Sequence, residues 1–304
     1  MPAVSIIMNV RDGAATLREA LRSALAQSFT DWELIAWDDQ SSDASAAIVA
    51  EFSDPRIRYF LAQRSTSLGE ARDAAIREAH GEWLAFLDQD DVWLPRKLEL
   101  QLALTESPEV GLIYGRTLTF YPSGRQHDYD AFHEFCPLPE GDILAELLSR
   151  GCFVAMSSAV LRRSAVLQTG GIPGHIRITP DYFLYLAVCR RYSARAVQEV
   201  VCRYRVHPAS MSLVSRFEAL EESLLQVEQW RSSLTPDAFA RRWKHIQTAM
   251  AFEELRDTRT LAQGLRRLLV QGSVFWMMGR PFVRAWRWMR RMVRRPYWEE
   301  SATE

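Results

Sequence analysis

Three carboxylates stand within four positions in Phe86-Leu87-Asp88-Gln89-Asp90-Asp91-Val92-Trp93. They directly follow an apolar run, Trp83 to Leu87, that reads as a buried strand. Like charges gathered in a low dielectric raise one another's pKa, so such a cluster needs a cation to offset it. A divalent ion with oxygen preference is the simplest candidate. The competing reading is an acidic turn capping the helix after it, where aspartate is favoured. A second acidic pair, Asp38-Asp39, ends the run Glu33 to Trp37, and Asn9 and Arg11 come after the run Val4 to Met8. Asp181 comes after Pro180 in front of an apolar segment, where an aspartate also serves simply as a helix N-terminus. His207 sits close to Arg203 and Arg205, which reads either as a surface loop or as a pocket for an anion or a metal-bound phosphate.

The elements that must position these groups alternate. Short apolar runs end at Met8, Trp37, Leu61 and Leu87, and helical patterns lie between them: one opened by Thr16 and Glu19 at capping-box spacing, one from Ala44 to Phe52, and one from Leu68 to His80, stopped by Gly81. Strand and helix in turn imply βαβ units, hence an α/β fold with a mostly parallel sheet and helices on both faces. Ligands on such sheets bind outside the carboxyl ends of the strands. Asn9, Arg11, Asp38-Asp39 and Asp88-Asp90-Asp91 all fall there, whereas a merely decorative acidic turn could lie at either end. Neither a glycine-rich dinucleotide fingerprint nor a Walker phosphate loop comes after the first strand.

Beyond this, a helix is expected over Arg96 to Leu104 and strands over Val110 to Tyr114, Ser157 to Leu161 and Ala196 to Cys202. An irregular, aromatic segment runs from Gly115 to Pro139 with Tyr121, His127, Tyr129, Phe132, His133 and Phe135. From about Ser215 only helices are expected, Glu218 to Trp230 and Pro236 to Leu255. The expected organisation is an α/β domain over 1–214 and a helical, basic-aromatic region over 215–304.

A formal net charge of −1 gives the chain no general pull toward nucleic acid, and 48% hydrophobic with 25% charged residues is ordinary for a soluble globular protein. Cys136, Cys152, Cys189 and Cys202 form no CxxC pair, so neither zinc nor a disulfide framework is expected, and they read as buried or incidental thiols in a reducing compartment. No basic segment with a long apolar run opens the chain and no run of eighteen apolar residues occurs, so neither a secretory signal nor a transmembrane helix is expected. Between Leu261 and Arg295 there are nine arginines and no acidic residue, interleaved with Phe275, Trp276, Phe282, Trp286 and Trp288. Such a stretch suits an anionic membrane surface. Its alternatives are a helix packed on protein with snorkelling arginines, and RNA binding.

Taken in order, several motifs over Val4 to Ser212 resemble family 2 glycosyltransferases of the GT-A fold, inverting enzymes that use nucleotide sugars. Met8-Asn9-Val10-Arg11-Asp12 is a loose version of the first turn. Trp37-Asp38-Asp39-Gln40-Ser41-Ser42-Asp43 carries Gln40 where the family has Gly. Gly69-Glu70-Ala71-Arg72-Asp73 carries Asp73 where Asn is usual, and Phe86 to Trp93 matches the metal motif closely. Thr179-Pro180-Asp181 resembles the segment of the catalytic base, with Pro180 replacing Glu, and Tyr204 to Ser212 resembles the segment that closes the site.

The resemblance implies roles. Asp181 would be the general base and Asp39 would bind the nucleotide base. Asp88 and Asp90 would form an Asp-x-Asp pair around Mg2+ or Mn2+ with His207 added, Asp90 as the closer ligand and Asp88 reaching the ribose or the metal through water. Arg72 and Arg205 would supply positive charge near the diphosphate, Asn9 and Arg11 would line the donor site, and Asp91 would steer the acceptor or hold the loop. It further implies transfer of one sugar, with UDP- or dTDP-sugars favoured, to a hydroxyl of a glycan or lipid-linked acceptor in cell-surface polysaccharide synthesis. The setting would be cytoplasmic, peripheral on the inner face of the membrane. The processive polymerases' Gln-x-x-Arg-Trp is absent, because Phe239 stands where Gln should precede Arg242-Trp243. A non-catalytic nucleotide-sugar scaffold and a nucleotidyltransferase are the rival classes.

Overall fold

The structure is a computed structural model that describes residues 1–121 and 137–256. Cys136, the aromatic positions from His127 to Phe135 and the basic stretch from Leu261 to Arg295 lie outside the described residues. The chain divides into two compact units, Met1–His207 and one that begins at Pro208.

The first unit opens with strand β1 (Val4–Val10), helix α1 (Leu17–Leu25), β2 (Trp32–Asp38), α2 (Ser45–Ala50), β3 (Ile57–Leu61), α3 (Leu68–Arg77) and β4 (Trp83–Phe86). It continues through β5 (Val92–Trp93), α4 (Lys97–Leu102), β6 (Val110–Phe120), α5 (Leu144–Arg150), β7 (Val160–Arg162), α6 (Arg163–Leu167), α7 (Pro180–Cys189) and β8 (Ser193–Arg205). One sheet runs β3-β2-β1-β4-β7-β6-β8-β5. Its first four strands are parallel, as expected, because β1 pairs with β2 and β4, and β2 with β3. Every residue of β4 and nearly every residue of β1 and β2 is buried, as strands covered by helices on both faces are. The remainder is mixed: β7 is antiparallel to β4 and β6, β5 is antiparallel to β8, and β6 with β8 is parallel.

Three local expectations are corrected. Ser157 and Ser158 are not strand but a 3-10 turn, Met156–Ser158, because Ser158 Oγ bonds back to Ala155 O at 2.7 Å and Ser157 Oγ is taken by Asp91. Thr16 makes no side-chain cap, since the Glu19 carboxylate is engaged by Arg205 instead; the capping box forms at Ser67 and Glu70, at the start of α3. β6 extends to Phe120, into the stretch expected to be irregular from Gly115. The second unit contains α8 (Met211–Val214), α9 (Arg216–Gln229) and α10 (Pro236–Arg256). An ion pair at 3.0 Å from Arg216 to Glu253 joins α9 to α10. No helix among the described residues is long and apolar enough to cross a membrane.

Candidate active site

Parallel strands deliver the turns after them to one edge of the sheet, and there the turns after β1 and β2 are laced together. Asp12, at φ +46°, accepts from Ser42 N–H at 2.7 Å, while Ser41 Oγ accepts from Asp12 N–H and Asp43 accepts from Ala14 N–H at 2.8 Å. Gln40 also has a positive φ, +64°, and its amide donates to Ala62 O, so a residue that lacks glycine's freedom is held there by its side chain. Asp38 is consumed structurally by Ser41 N–H and Tyr59 O–H. Asp39 is buried in a cup of donors: Thr66 N–H and Oγ at 2.9 Å each, Ser65 Oγ at 3.1 Å and Arg11 at 2.9 Å. Arg11 itself is largely exposed. Both polar atoms of the Asn9 side chain are buried without a hydrogen-bond partner, a cost that a bound group would relieve.

The acidic turn after β4 docks on this edge through Gln89, whose amide both donates to Arg11 O and accepts from Arg11 N–H, each at 2.9 Å. Gly13 is required by that contact, because a Cβ there would lie 2.2 Å from Gln89 Oε1. The three carboxylates then take different partners. Asp88 pairs with the buried Arg72 at 2.8 Å. Asp90 meets His207 Nε2 at 2.9 Å. Asp91, 1% exposed, accepts from Ser157 Oγ at 2.5 Å and from Arg205 N–H at 2.9 Å. Burial, with Asp90 and Asp88 adding like charge, pushes Asp91 well above the usual carboxylate range. Burial also raises Asp88 to about 6; Arg72 opposes the rise while Asp90 and Asp181 add to it.

Asp181 lies in the first turn of α7, after Pro180 at a helix start that suits proline. One of its oxygens accepts from Tyr182 N–H at 2.8 Å and the other faces Cys152 Sγ at 3.8 Å. Burial raises its pKa, and Arg72 is the main opposing influence. A single guanidinium thus bonds Asp88 and acts on Asp181 at the same time. Cys152, read from sequence only as a buried or incidental thiol, is half-buried beside Asp181, while Cys189 and Cys202 are buried and in no disulfide.

Two of the expected roles meet particular contacts here. Asp88, Asp90 and His207 do not gather as three ligands around one point; no group of three or more such side chains does so among the described residues. Arg72 holds Asp88, leaving Asp90 with His207 as the adjoining oxygen and nitrogen donors. That pair still suits Mg2+ or Mn2+, which take one or two protein ligands and complete their shell with water and phosphate. Arg205, expected at the diphosphate, is spent as a brace: Nε donates to Asp90 O at 2.7 Å and its terminal nitrogen pairs with Glu19. Ser157 and Glu19 are parts of the site that the sequence does not announce. The only signal for Ser157 is a polar pair, Ser157-Ser158, inside an apolar run, and Glu19 is marked locally only by its capping-box spacing from Thr16.

The family model for glycosyl transferase family 2 matches residues 5–170, more than half of the chain. The chain belongs to this family. The match takes in Asn9 in β1, Asp39 after β2, Arg72 in α3 and the acidic cluster after β4, and it stops before Asp181 and His207. Among relatives of this glycosyltransferase, the Escherichia coli UDP-Glc:alpha-D-GlcNAc-diphosphoundecaprenol beta-1,3-glucosyltransferase WfaP is 30% identical over 73% of this chain and 85% of its own length. The similarly named Escherichia coli WfgD is 29% identical, over 69% and 79%. The succinoglycan biosynthesis protein ExoO of Rhizobium meliloti is 27% identical, over 93% and 83%. Among solved structures, S. aureus TarS 1-349 in complex with UDP-GlcNAc superposes with a TM-score of 0.61 at 15% identity, covering 88% of this chain and 72% of that TarS fragment. The Pyrobaculum calidifontis mannosyltransferase PcManGT, in complex with GDP-Man and Mn2+, also reaches 0.61 at 18% identity, over 96% and 85%. At such identities these two establish the GT-A fold of the transferase and no more.

Proposed function

We propose that this glycosyltransferase moves one sugar from a UDP- or dTDP-sugar to a hydroxyl of a glycan or lipid-linked acceptor, with inversion, in the synthesis of a cell-surface polysaccharide. The observation that carries the reading is the half-buried Asp181 in the first turn of α7, whose raised pKa is opposed by the same Arg72 that pairs with Asp88 of the acidic turn. A carboxylate whose pKa is raised above its ordinary value is a stronger proton acceptor. Asp181 takes the proton from the acceptor hydroxyl as that oxygen attacks the anomeric carbon, and the nucleoside diphosphate leaves from the opposite face.

Asp39 accepts from the ring N–H of uracil or thymine; its exposed partner Arg11 gives way or closes over the base. Asn9 supplies the donor and acceptor that have no partner in the protein. Asp90 and His207 would hold a divalent ion, Mg2+ or Mn2+, which when bound offsets the charge gathering on the departing diphosphate. Asp91 holds the turn instead of touching the acceptor, since both its oxygens are engaged by Ser157 and Arg205. The names of WfaP and WfgD make UDP-glucose and a diphosphoundecaprenol-linked sugar the first pair to assay. A lipid-linked acceptor would place the enzyme at the cytoplasmic face of a membrane, where the basic residues 261–295 would meet anionic lipid.

Asp181→Asn is the decisive variant. It keeps nucleotide-sugar binding, read as a thermal shift with UDP-glucose, and loses transfer by about a hundred- to ten-thousandfold, the range for removal of a catalytic base. Turnover within a few-fold of the parent would remove Asp181 from the reaction.

A further inference from the structure

Helix α3 has a second set of contacts that the reaction does not use. In its first turn, Gly69 lies so close to the segment before Asp181 that a Cβ there would meet the Ile176 carbonyl oxygen at 2.1 Å. One turn later, Asp73 Oδ1 accepts the Ile172 N–H at 3.1 Å. The other oxygen of Asp73 is gripped by Arg77 through Nε at 2.9 Å and a terminal nitrogen at 2.8 Å. Gly171 passes this point at φ +96°, where a Cβ would come within 2.8 Å of the same Asp73 oxygen, so the segment clears α3 only as glycine. Ile172 and Ile176 are buried, and Ile176 N–H closes a turn onto Pro173 O at 2.8 Å. The segment is therefore seated on α3 by a backbone contact, a side-chain hydrogen bond and two apolar anchors. It then runs directly into Pro180 and Asp181.

Arg72 and Asp73 are successive residues of one helix, about 100° apart around its axis. Arg72 reaches Asp88 of the acidic turn, and Asp73 reaches the segment that leads to Asp181. We propose that Asp73 is a positioning residue. By holding Gly171 to Ile176 on α3, it sets the reach from Asp181 to the acidic turn. The proposal rests on the reading of Asp181 as the base. Its physical basis is that reacting groups held within about 0.5 Å of productive geometry need support from rigid elements. A hydrogen-bonded helix that carries a group to each side is such an element. Loosening the seat would leave the donor site intact and let Asp181 drift, and a misplacement of about 1 Å costs on the order of a hundredfold in rate.

The test is steady-state kinetics on the full chain with UDP-glucose and Mn2+, comparing Asp73→Ala, Asp73→Leu and Asp73→Asn. Alanine and leucine remove the acceptor for Ile172 N–H, whereas asparagine keeps an acceptor oxygen and loses only the ion pair with Arg77. The expected result is a fall in kcat of about 10- to 100-fold for whichever of the first two folds, with KM for the donor within about twofold. Asparagine should return kcat to within about threefold of the parent. A purely structural role would depress all three in step with Tm, without the split between kcat and KM or the rescue.

An unchanged kcat in a folded alanine or leucine variant overturns the proposal. So does a loss confined to donor KM, or an asparagine variant as slow as alanine. Failure of both alanine and leucine to fold also overturns it, in favour of simple stabilisation. Asp181→Asn assayed alongside keeps the two readings apart. If it still turns over, the assignment of the base fails whatever Asp73 does; if it is inactive while the Asp73 variants are normal, only the positioning role falls.

Discussion

Each carboxylate of the site has a partner that decides what it can do. Asp91, between Ser157 and Arg205, is a fastening. Asp181, bonded among the described residues to a thiol and its own helix, keeps lone-pair capacity that the proposed base would use. Away from the edge, the same accounting exposes a liability at Lys97. Its side chain is buried with no carboxylate, its Nζ is 2.5 Å from Gln101 Oε1 and 4.4 Å from the centre of the Trp93 ring, and burial pulls its pKa down to about 7. The unfolded chain has an ordinary lysine, so between about pH 7 and 10.5 it binds a proton that the folded protein releases, and stability contributed by this group rises with pH across that window. Lys97→Met removes the titration but leaves Gln101 Oε1 without its donor, at a cost of about 1–3 kcal/mol. The parent should therefore gain on the order of 2 kcal/mol over the variant between pH 7 and pH 9, measured by urea unfolding at each pH. Parallel pH dependences would mean that Lys97 stays charged inside the fold.

At the scale of elements, the site is made by strand ends brought together by pairing. Asp90 and His207 are 117 positions apart, and they meet because β5 pairs antiparallel with β8 while Arg205 ties the end of β8 to the Asp90 carbonyl and to Glu19 on α1. The donor pair therefore depends on two elements being in register. Activity should vanish after exhaustive EDTA treatment and return with Mn2+. In His207→Ala the Mn2+ concentration for half-maximal activity should rise by about tenfold or more. Full activity in EDTA, or an unchanged Mn2+ requirement in the variant, would remove the ion from this pair. The alternation of strand and helix is legible in apolar runs and glycine stops, as is the arrival of Asp39 and Asp88 to Asp91 at strand ends. Local rules fail for the capping box at Thr16 and the strand over Ser157, because in both places a distant partner, Arg205 or Asp91, claims the side chain that the rule would have used.

For the whole molecule, the transferase unit ends at His207, and the second unit is helical as far as Arg256. If residues 261–295 meet anionic lipid as proposed, their nine arginines would contribute about 1 kcal/mol for each that reaches the surface. Removing residues from 261 onward should lower association with phosphatidylglycerol vesicles by at least about tenfold and leave the thermal shift with UDP-glucose unchanged. Undiminished vesicle binding would assign the stretch to contact with protein.

By itself, the sequence determined the α/β alternation, the family and the identity of the acidic and basic groups at the strand ends, because these depend on periodicity and on short motifs within one turn. Only the tertiary structure decided the pairings: Arg72 with Asp88 beside Asp181, His207 with Asp90, and Asp73 with the backbone of Ile172. Such contacts join residues far apart in the chain. Which cation or N–H meets which carboxylate is set by sheet register and helix rotation, and neither leaves a local trace in the sequence.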